Sequence, residues 1–242
     1  MAKPKLNALI VGAGGVTSYM LPALKNSFDL KLTLIDGYTL EKRNLDRQLF
    51  RTNHVGLNKA VALAKTYTFR KDNCTVIQQY FDIEMLDTEY KYWFHEADIL
   101  IAAVDNHPAR RALIHAGKSL NKPVLIMANE YSTSQAMIYV PHLEGQYPMM
   151  NPFLRYPELE TSNEGSPMNC QGNALEATPQ LAIANQVSAS LGNLLLWNWS
   201  AYLFDDQERG DWYPVEYQTT FSKLETITLA DLASTTIPSY AS

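Results

Sequence analysis

LNALIVGAGG, residues 6–15, is the stretch that decides the fold. A short apolar run ends in Gly12-Ala-Gly14-Gly15, and a helical pattern follows from Val16 to about Asn26. Strand, glycine turn and helix in this order are typical of a nucleotide-binding α/β unit. Glycines let the backbone approach a phosphate, and the helix N-terminus offers N–H groups that have no acceptor. We therefore predict that Gly12, Gly14 and Gly15 bind phosphate.

Asp36 ends a second predicted strand, residues 30–35, where its carboxylate could accept hydrogen bonds from ribose hydroxyls. A nicotinamide-dependent oxidoreductase would have the same features. Thr17 stands where the dinucleotide fingerprint GxGxxG has its third glycine. The loop thus predicts a nucleotide without specifying which one, and a tight turn without a ligand is the plain alternative.

Helix and strand patterns alternate through the first 140 residues. Alternating elements with short connections predict an α/β fold with a doubly wound, mostly parallel, Rossmann-like sheet and right-handed crossovers. Beyond the first two strands and the first helix, the predicted elements are helix 57–67, strand 74–78, helix 86–94, strand 98–104, helix 108–120, strand 123–127 and strand 136–140.

The pattern changes after Pro141. Residues 141–178 are rich in proline and show no sustained period, which predicts a long crossover loop. A long helix from 179 to about 199 and a strand at 212–221 should follow, with a frayed tail from Thr228. We therefore expect one domain, residues 1–242, with a nucleotide-binding core (1–140), a crossover loop (141–178) and a C-terminal helix and strands (179–242).

Composition excludes several classes of protein. The net charge of −5, without a basic stripe, argues against nucleic-acid binding. No apolar stretch approaches the roughly 20 residues of a membrane span, and the amino terminus does not resemble a signal peptide, so we expect a cytoplasmic protein. Two cysteines without a CxxC pair, and scattered histidines, predict no zinc site and no disulfide scaffold.

The segments after Asp36 carry more specific information. They are Asn44-Leu-Asp-Arg47-Gln48, then GLNKA at 56–60, then AVDN at 103–106. This series resembles the signature of the ThiF/MoeB/ubiquitin-activating (E1-like) superfamily. There an acidic strand end precedes N-L-x-R-Q, a G-x-x-K-A helix start, and T-D-N-x-x-x-R, whose arginine corresponds to Arg110. The resemblance covers residues 6–140 well and the remainder more loosely.

The resemblance implies ATP-dependent adenylation of a carboxylate, for which cations and Mg²⁺ must stabilise the charge that develops on the phosphates. By analogy, Arg47 would hold phosphate oxygens in a fork and Lys59 would supply a point charge. Asp105 would be the Mg²⁺-associated or transfer-orienting carboxylate. Asn44 and Gln48 would orient polar groups of the nucleotide.

Each of these roles has a plain alternative. Arg47 and Lys59 could be solvated surface charges, and Asp105 could cap the helix that begins near Pro108. The sequence also departs from the family at Tyr38, which stands where a second acidic residue often follows the first. The resemblance therefore assigns no metal ligand to that position.

Cys170 lies near the end of the predicted crossover loop, among small and polar residues. Several enzymes of the family carry a cysteine there that takes the activated acyl group as a thioester, and Cys170 suits such a nucleophile. An inert loop cysteine is the alternative. Between Cys170 and Trp197 the chain resembles ThiF-family proteins of bacterial PRTRC gene systems. Cys74, inside an apolar strand pattern, is predicted to be a core residue.

The resemblance also implies partners. We expect a ubiquitin-like or sulfur-carrier protein with a C-terminal glycine, a downstream conjugating or sulfur-transfer protein, and a homodimer. A peptide or small-molecule substrate is a variant of this hypothesis. Two other classes stay open: a nicotinamide-dependent oxidoreductase, which would leave Arg47 and Lys59 without a role, and a non-catalytic ThiF-like subunit that forms a heterodimer.

Overall fold

The computed structural model describes residues 3–70, 72–130, 132–162, 181–204 and 214–233. The strands form one sheet and are β1 Lys5–Val11, β2 Asp29–Ile35, β3 Cys74–Ile77, β4 Ile99–Ala102, β5 Val124–Asn129, β6 Thr133–Tyr139, β7 Pro214–Thr220 and β8 Lys223–Thr228. The helices are α1 Gly15–Ser27, α2 Lys59–Thr66, α3 Lys91–Glu96, α4 His107–Leu120, α5 Pro152–Arg155, α6 Glu158–Thr161, α7 Ala182–Phe204 and α8 Leu229–Ala233. None of the helices in these ranges has the length and apolar character that crossing a membrane requires.

The order of the strands in the sheet is β3-β2-β1-β4-β5-β6-β7-β8. The first five are parallel, and β6, β7 and β8 continue the sheet in antiparallel fashion. The predicted doubly wound, mostly parallel sheet is therefore confirmed. Because Asn129 pairs with Ser134, and Thr133 pairs with Thr220, the antiparallel strands extend the edge at which the parallel strands end. This edge positions the site.

Helices α4 and α7 cover opposite faces of the sheet. A Cβ at Gly117 of α4 would meet the side chain of Val124, whereas a Cβ at Gly192 of α7 would meet Met127. Alternate residues of a strand point to opposite faces, so positions 124 and 127 of β5 mark the two sides. Strands covered on both faces read as continuous apolar runs, which explains why the core strands were easy to predict.

The predicted helix at 86–94 is confirmed only for residues 91–94. The chain instead forms a 3₁₀ turn at Ile83–Asp87, breaks at Thr88, and begins α3 at Lys91. The Thr88 hydroxyl donates to the Met85 carbonyl at 2.8 Å and accepts the Tyr90 N–H at 3.3 Å. A side chain that bonds the local backbone competes with the helix, and this competition ends the first turn.

The described part of the predicted crossover loop has more structure than its sequence suggests. Residues 141–162 contain α5, α6 and short 3₁₀ turns at Pro141–Leu143 and Pro148–Met150. Tyr147, Met150 and Leu159 are buried in this stretch. Helical segments of one or two turns leave no periodic signal in the sequence. The prolines at their first positions suggest a loop, although proline is common at the start of a helix.

The prediction that the tail frays from Thr228 is wrong for residues 228–233. Strand β8 ends at Thr228, and α8 follows with Leu229 and Leu232 buried. Asp231 accepts hydrogen bonds from the Thr228 amide and hydroxyl, at 2.7 and 2.8 Å. These contacts fix the start of the helix.

Candidate functional site

A cleft of about 1660 Å³ follows the carboxyl edge of the sheet. It brings together all the predicted site residues that the structure describes, which are Gly12, Gly14, Gly15, Asp36, Asn44, Arg47, Gln48, Lys59 and Asp105. The location is the one where open α/β sheets bind ligands. Cys170 lies outside the described residues.

The three loop glycines have different structural positions. Gly12 has a φ of +94°, and a Cβ there would collide with the carbonyl oxygen of Ala103 at the end of β4. A Cβ at Gly15 would meet the side-chain amide of Asn185, on α7, at 2.5 Å. Only Gly14 faces open space, with nothing within 4 Å of a Cβ. Gly12 and Gly15 are therefore required by packing, and Gly14 leaves room in the cleft.

The start of α1 offers backbone donors to this space. Gly14 precedes the helix without a side-chain cap, and no acidic residue occupies the first turn. The first amides of a helix have no acceptor within it and carry a partial positive charge. Thr17 donates its hydroxyl to the Gly12 carbonyl at 2.5 Å and so ties the loop to the helix. The arrangement suits an anion.

Asp36 is buried directly behind the loop. Its carboxylate accepts the Ala13 N–H at 2.7 Å on one oxygen and the Tyr38 N–H at 2.6 Å on the other. Burial raises the pKa of Asp36, with a smaller increase from the nearby Asp105 carboxylate, while the Ala13 amide, the Lys59 ammonium and the Tyr38 amide lower that pKa. Lys59 and Asp105 line the same cleft as Asp36.

Only one of the three guanidinium nitrogens of Arg47 donates to a described residue. Its Nη1 donates to the Arg43 carbonyl at 3.0 Å and to the Asp46 carboxylate at 2.8 Å, and its side chain is 30% exposed. Nε and Nη2 donate to no residue in the described ranges. The Asn185 amide holds the backbone of this segment by donating to the Arg47 carbonyl at 3.2 Å. Arg47 is thus anchored at one nitrogen and open to the cleft at two.

Lys59 is the first residue of α2, and Asn58 caps that helix by accepting the N–H groups of Ala60 and Val61. The ammonium lies 5.2 Å from the centre of the Tyr38 ring. Among the described residues it makes no hydrogen bond or ion pair. Both predicted cations therefore face the cleft with donors that the described part of the chain leaves unused.

Asn44 and Gln48 are buried in the wall of the cleft. The Asn44 side-chain oxygen accepts the Glu41 N–H at 3.0 Å, so this residue shapes the segment before Arg47. The buried Gln48 Oε1 accepts no hydrogen bond from the described residues. A buried acceptor without a partner has a free-energy cost, which a ligand donor in the cleft would remove.

Asp105 lies exposed in the cleft just beyond β4. The alternative that it caps α4 is wrong, since Asn106 does so by accepting the Ala109 N–H at 2.8 Å. Arg110 lines the cleft one turn later and donates to the Val104 carbonyl at 2.9 Å. Asn106, rather than Asp105, is therefore the residue that caps α4.

Sequence reasoning missed Asn129 and Tyr80 as cleft residues, and it gave Tyr38 no contact in the cleft. Asn129 ends β5, and its buried Nδ2 has no acceptor among the described residues. Its place at a parallel strand end was a signal that could have found it. Tyr38 and Tyr80 pack edge to face, with ring centres 4.8 Å apart. Tyr80 follows β3 without any motif, so nothing local predicted its contact.

Sequence reasoning also missed a polar group at the far end of the cleft, on β6, β7 and the residues after α5. Gln135, Tyr156 and Gln218 line this end and bond to the buried Glu216. Their positions are 135, 156, 216 and 218 in the chain, so only the fold brings them together. Within the described residues, no group of three or more His, Cys, Asp or Glu side chains could hold a metal ion by itself.

A doubly wound sheet with a glycine loop, a buried strand-end carboxylate and two cations at its carboxyl edge is the architecture of nucleotide-binding α/β folds. Comparison with known families makes this assignment specific. The chain belongs to the ThiF family, whose model matches residues 4–196.

Two curated relatives are subunits of activating enzymes. The SUMO-activating enzyme subunit uba-2 of Caenorhabditis elegans is 32% identical over 120 residues, which are 48% of this chain and 20% of that protein. The Nedd8-activating enzyme E1 catalytic subunit of Drosophila melanogaster is 33% identical over 108 residues, 44% of this chain and 23% of that protein. The match thus spans about a fifth of the length of these relatives.

Solved structures share the fold over nearly the whole chain. MccB from E. coli, determined with succinimide, superposes with a TM-score of 0.66 at 19% identity, covering 93% of this chain and 64% of that one. PaaA superposes with a TM-score of 0.65 at 16% identity and the same coverage.

Proposed function

We propose that this protein uses ATP to adenylate the C-terminal carboxylate of a ubiquitin-like, sulfur-carrier or peptide partner. One observation carries the proposal. Arg47 and Lys59 meet the glycine loop in one cleft, with donors that no described residue takes. Membership of the ThiF family, and relatives named as SUMO- and Nedd8-activating enzymes, support it. MccB has been determined with ATP and with MccA.

The phosphates of ATP would lie against Gly14 and the first turn of α1, within reach of Arg47 and Lys59. The ribose would lie over Asp36. Each carboxylate oxygen there already accepts one N–H, but an oxygen has two lone pairs, so each can accept a ribose hydroxyl as well. The unpartnered Gln48 Oε1 and Asn129 Nδ2 offer one acceptor and one donor to the ligands.

In the reaction, a carboxylate oxygen of the partner attacks the α-phosphorus of ATP. The bond to the bridging oxygen between the α- and β-phosphates breaks, pyrophosphate leaves, and an acyl-adenylate forms. Two anions must approach each other, so cations are needed on both sides of the α-phosphate. Arg47 can bind two oxygens through Nε and Nη2, and Lys59 can bind one as a point charge.

Mg²⁺ fits this site only together with the nucleotide. Protein-bound Mg²⁺ commonly takes one or two carboxylates and completes its shell with phosphate oxygens and water. Asp105 supplies such a carboxylate beside the proposed phosphates, and Mg²⁺ bound there would neutralise charge on the leaving pyrophosphate. Tyr38 contributes no carboxylate to this site. Its ring lies beside the Lys59 ammonium.

Later steps rest on the family resemblance. We propose that the Cys170 thiolate attacks the acyl carbon, releases AMP and forms a thioester, from which a downstream conjugating or sulfur-transfer protein takes the product. We also propose a homodimer in the cytoplasm of a bacterium.

ATP–pyrophosphate exchange with candidate partners ending in Gly tests the proposal. Exchange should depend on the partner, and Arg47→Ala or Asp105→Ala should abolish it. Arg70→Ala is the matched control, because Arg70 pairs with Asp72 outside the cleft. Exchange that survives Asp105→Ala would refute the role of that carboxylate.

Two further measurements separate the remaining alternatives. Cys170→Ala should leave exchange intact and remove any thiol-sensitive conjugate. ATP, rather than NAD, should raise the melting temperature, because a ligand that binds only the native state stabilises it. Stabilisation by NAD alone would favour the oxidoreductase, and stabilisation by ATP without exchange would favour the non-catalytic subunit.

A further inference from the structure

Two glutamine side chains project from the antiparallel end of the sheet into the cleft. Gln135 on β6 and Gln218 on β7 are direct cross-strand partners, so their side chains lie on the same face. Both line the cleft, several strands away from the glycine loop. Neither belongs to the nucleotide site described above.

A buried carboxylate fixes the orientation of both glutamines. Glu216 is 0% exposed and accepts the side-chain N–H groups of Gln135 at 2.6 Å and of Gln218 at 2.5 Å. It also accepts the Tyr156 hydroxyl at 2.5 Å and forms an ion pair with Arg155. Both glutamine nitrogens approach the Tyr156 oxygen as well, at 2.8 and 2.5 Å.

This network determines which atom of each amide faces the ligand. An ionised carboxylate only accepts hydrogen bonds, so the nitrogens must point to Glu216 and the oxygens must point away from it. Within the described ranges, neither Oε1 accepts a hydrogen bond, and neither is a buried atom without a partner. The cleft therefore contains two acceptors that are oriented in advance.

We propose that the Oε1 atoms of Gln135 and Gln218 accept hydrogen bonds from backbone N–H groups of the partner's C-terminal segment and hold it extended across the sheet. This inference rests on the proposed adenylation. An extended chain presents N–H groups on one side about every 6.8 Å, and cross-strand Cβ atoms lie about 5 Å apart, so two glutamine side chains can reach successive groups.

The sheet spacing specifies which residues of the partner are bound. Strands lie about 4.8 Å apart, so β6 and β7 are about 10 and 14 Å from β4, where Asp105 marks the reacting end. At about 3.4 Å per residue, these distances correspond to the third to fifth residues before the terminal carboxylate. Thr133 and Thr220 flank the pair on the same face, which makes this surface polar rather than an apolar pocket.

Kinetics with a Gly-Gly-ending ubiquitin-like protein that supports wild-type exchange test the inference. Gln135→Met and Gln218→Met should each raise the KM for this protein about 5- to 10-fold, which is the effect of losing one neutral hydrogen bond, and should leave the KM for ATP unchanged. Gln146→Met is the matched control, because Gln146 also donates to a tyrosine hydroxyl but lies outside the cleft.

A second pair of variants allows for loss of the network itself. Gln135→Lys and Gln218→Lys keep a donor towards Glu216 but lack an acceptor, so they should show the same rise in KM. Proline at the third to fifth positions before the partner's end removes N–H groups. These prolines should raise the KM of the wild-type protein for the partner but add nothing to the double variant Gln135→Met/Gln218→Met, which has lost both acceptors. Unchanged KM values, or equal rises for ATP and partner, would overturn the inference.

An independent binding measurement separates this inference from the proposed function. Side-chain amide signals of Gln135 and Gln218 should shift when the hexapeptide Ala-Ala-Ala-Ala-Gly-Gly, with a free carboxylate, is titrated into the ¹⁵N-labelled protein. Chemical-shift changes without pyrophosphate exchange would refute adenylation and support the peptide site. Pyrophosphate exchange without chemical-shift changes at millimolar peptide would support adenylation and refute the peptide site.

Discussion

Alanine substitutions at Gly12 and Gly14 should separate folding from nucleotide binding within one loop. Gly12 has a φ of +94°, and a methyl group there would collide with the backbone of Ala103. Gly14 has a φ of −94°, and a methyl group there would enter open cleft. The two changes add the same atom to the same loop, so Gly14→Ala is the matched control for stability.

The expected loss of stability for Gly12→Ala has two parts. A non-glycine residue at this φ costs about 1–3 kcal/mol. Movement of the loop away from Ala103 would also weaken the hydrogen bond from the Gly12 N–H to the Ile35 carbonyl, now 2.9 Å, at about 1 kcal/mol. The sum is about 2–4 kcal/mol. At about 2–4 °C per kcal/mol for a chain of this size, the melting temperature should fall by roughly 5–15 °C.

Gly14→Ala should leave stability nearly unchanged. Alanine is a poorer residue than glycine before a helix, by about 0.5–1 kcal/mol, but it restricts the unfolded chain and regains about 0.4–1 kcal/mol. Its methyl group would occupy the space proposed for phosphate, so affinity for ATP should fall at least about 10-fold, or about 1.4 kcal/mol.

Urea unfolding and calorimetric titration of ATP measure the two effects. A Gly12→Ala protein within 0.5 kcal/mol of wild type, roughly the range of neutral surface changes, would refute the argument from backbone strain. A Gly14→Ala protein that binds ATP normally would refute the placement of the phosphates.

Two further predictions concern the wall of the cleft and the loss of stability at acidic pH. Asn185→Ala should raise the KM for ATP about 5-fold, because it frees the backbone of Arg47, whereas Asn193→Ala, which removes a similar bond from α7 to the Met20 carbonyl, should not. Equal effects of the two changes in exchange kinetics would contradict this. Burial opposes ionisation of Glu144, but hydrogen bonds from Tyr139 and Lys118 prevail and lower its pKa below 4.5. The stability this gives is present above pH 4.5 and is lost as pH falls through the lowered pKa. Glu144→Gln should therefore cost about 1–2 kcal/mol at pH 7 and little at pH 3, and a uniform loss across urea curves at both pH values would refute the assignment.

Much of the fold could be predicted because its signals are local. The buried runs of β1, β2 and β4 contain few polar residues, and α4 begins with a capping residue and a proline. Where the structure departed from prediction, short turns and side-chain competition decided the outcome. Thr88 divided a predicted helix, and two buried leucines in α8 ordered the beginning of a tail that was expected to fray.

The residues of the site also differ in whether local sequence could reveal them. Gly12, Arg47, Lys59 and Asp105 stand in ordered motifs, so a resemblance located them, and the cleft brings them together. The glutamine pair could not be found in this way. Its orientation depends on Glu216, which is 81 residues from Gln135 in the chain, and such a contact has no signature in local sequence.

Helix α7 connects the two halves of the cleft. Asn185 donates to the Arg47 backbone, and one turn later the Ser188 hydroxyl lies 3.2 Å from the carbonyl oxygens of Ala128 and Gln135. Helix α7 therefore sets the distance between the proposed phosphate site near Arg47 and the proposed peptide site near Gln135. A tilt of α7 would disturb the binding of both substrates together. Variants in α7 that weaken the binding of ATP and of the partner equally would therefore indicate a change in the alignment of the two sites rather than the loss of one contact.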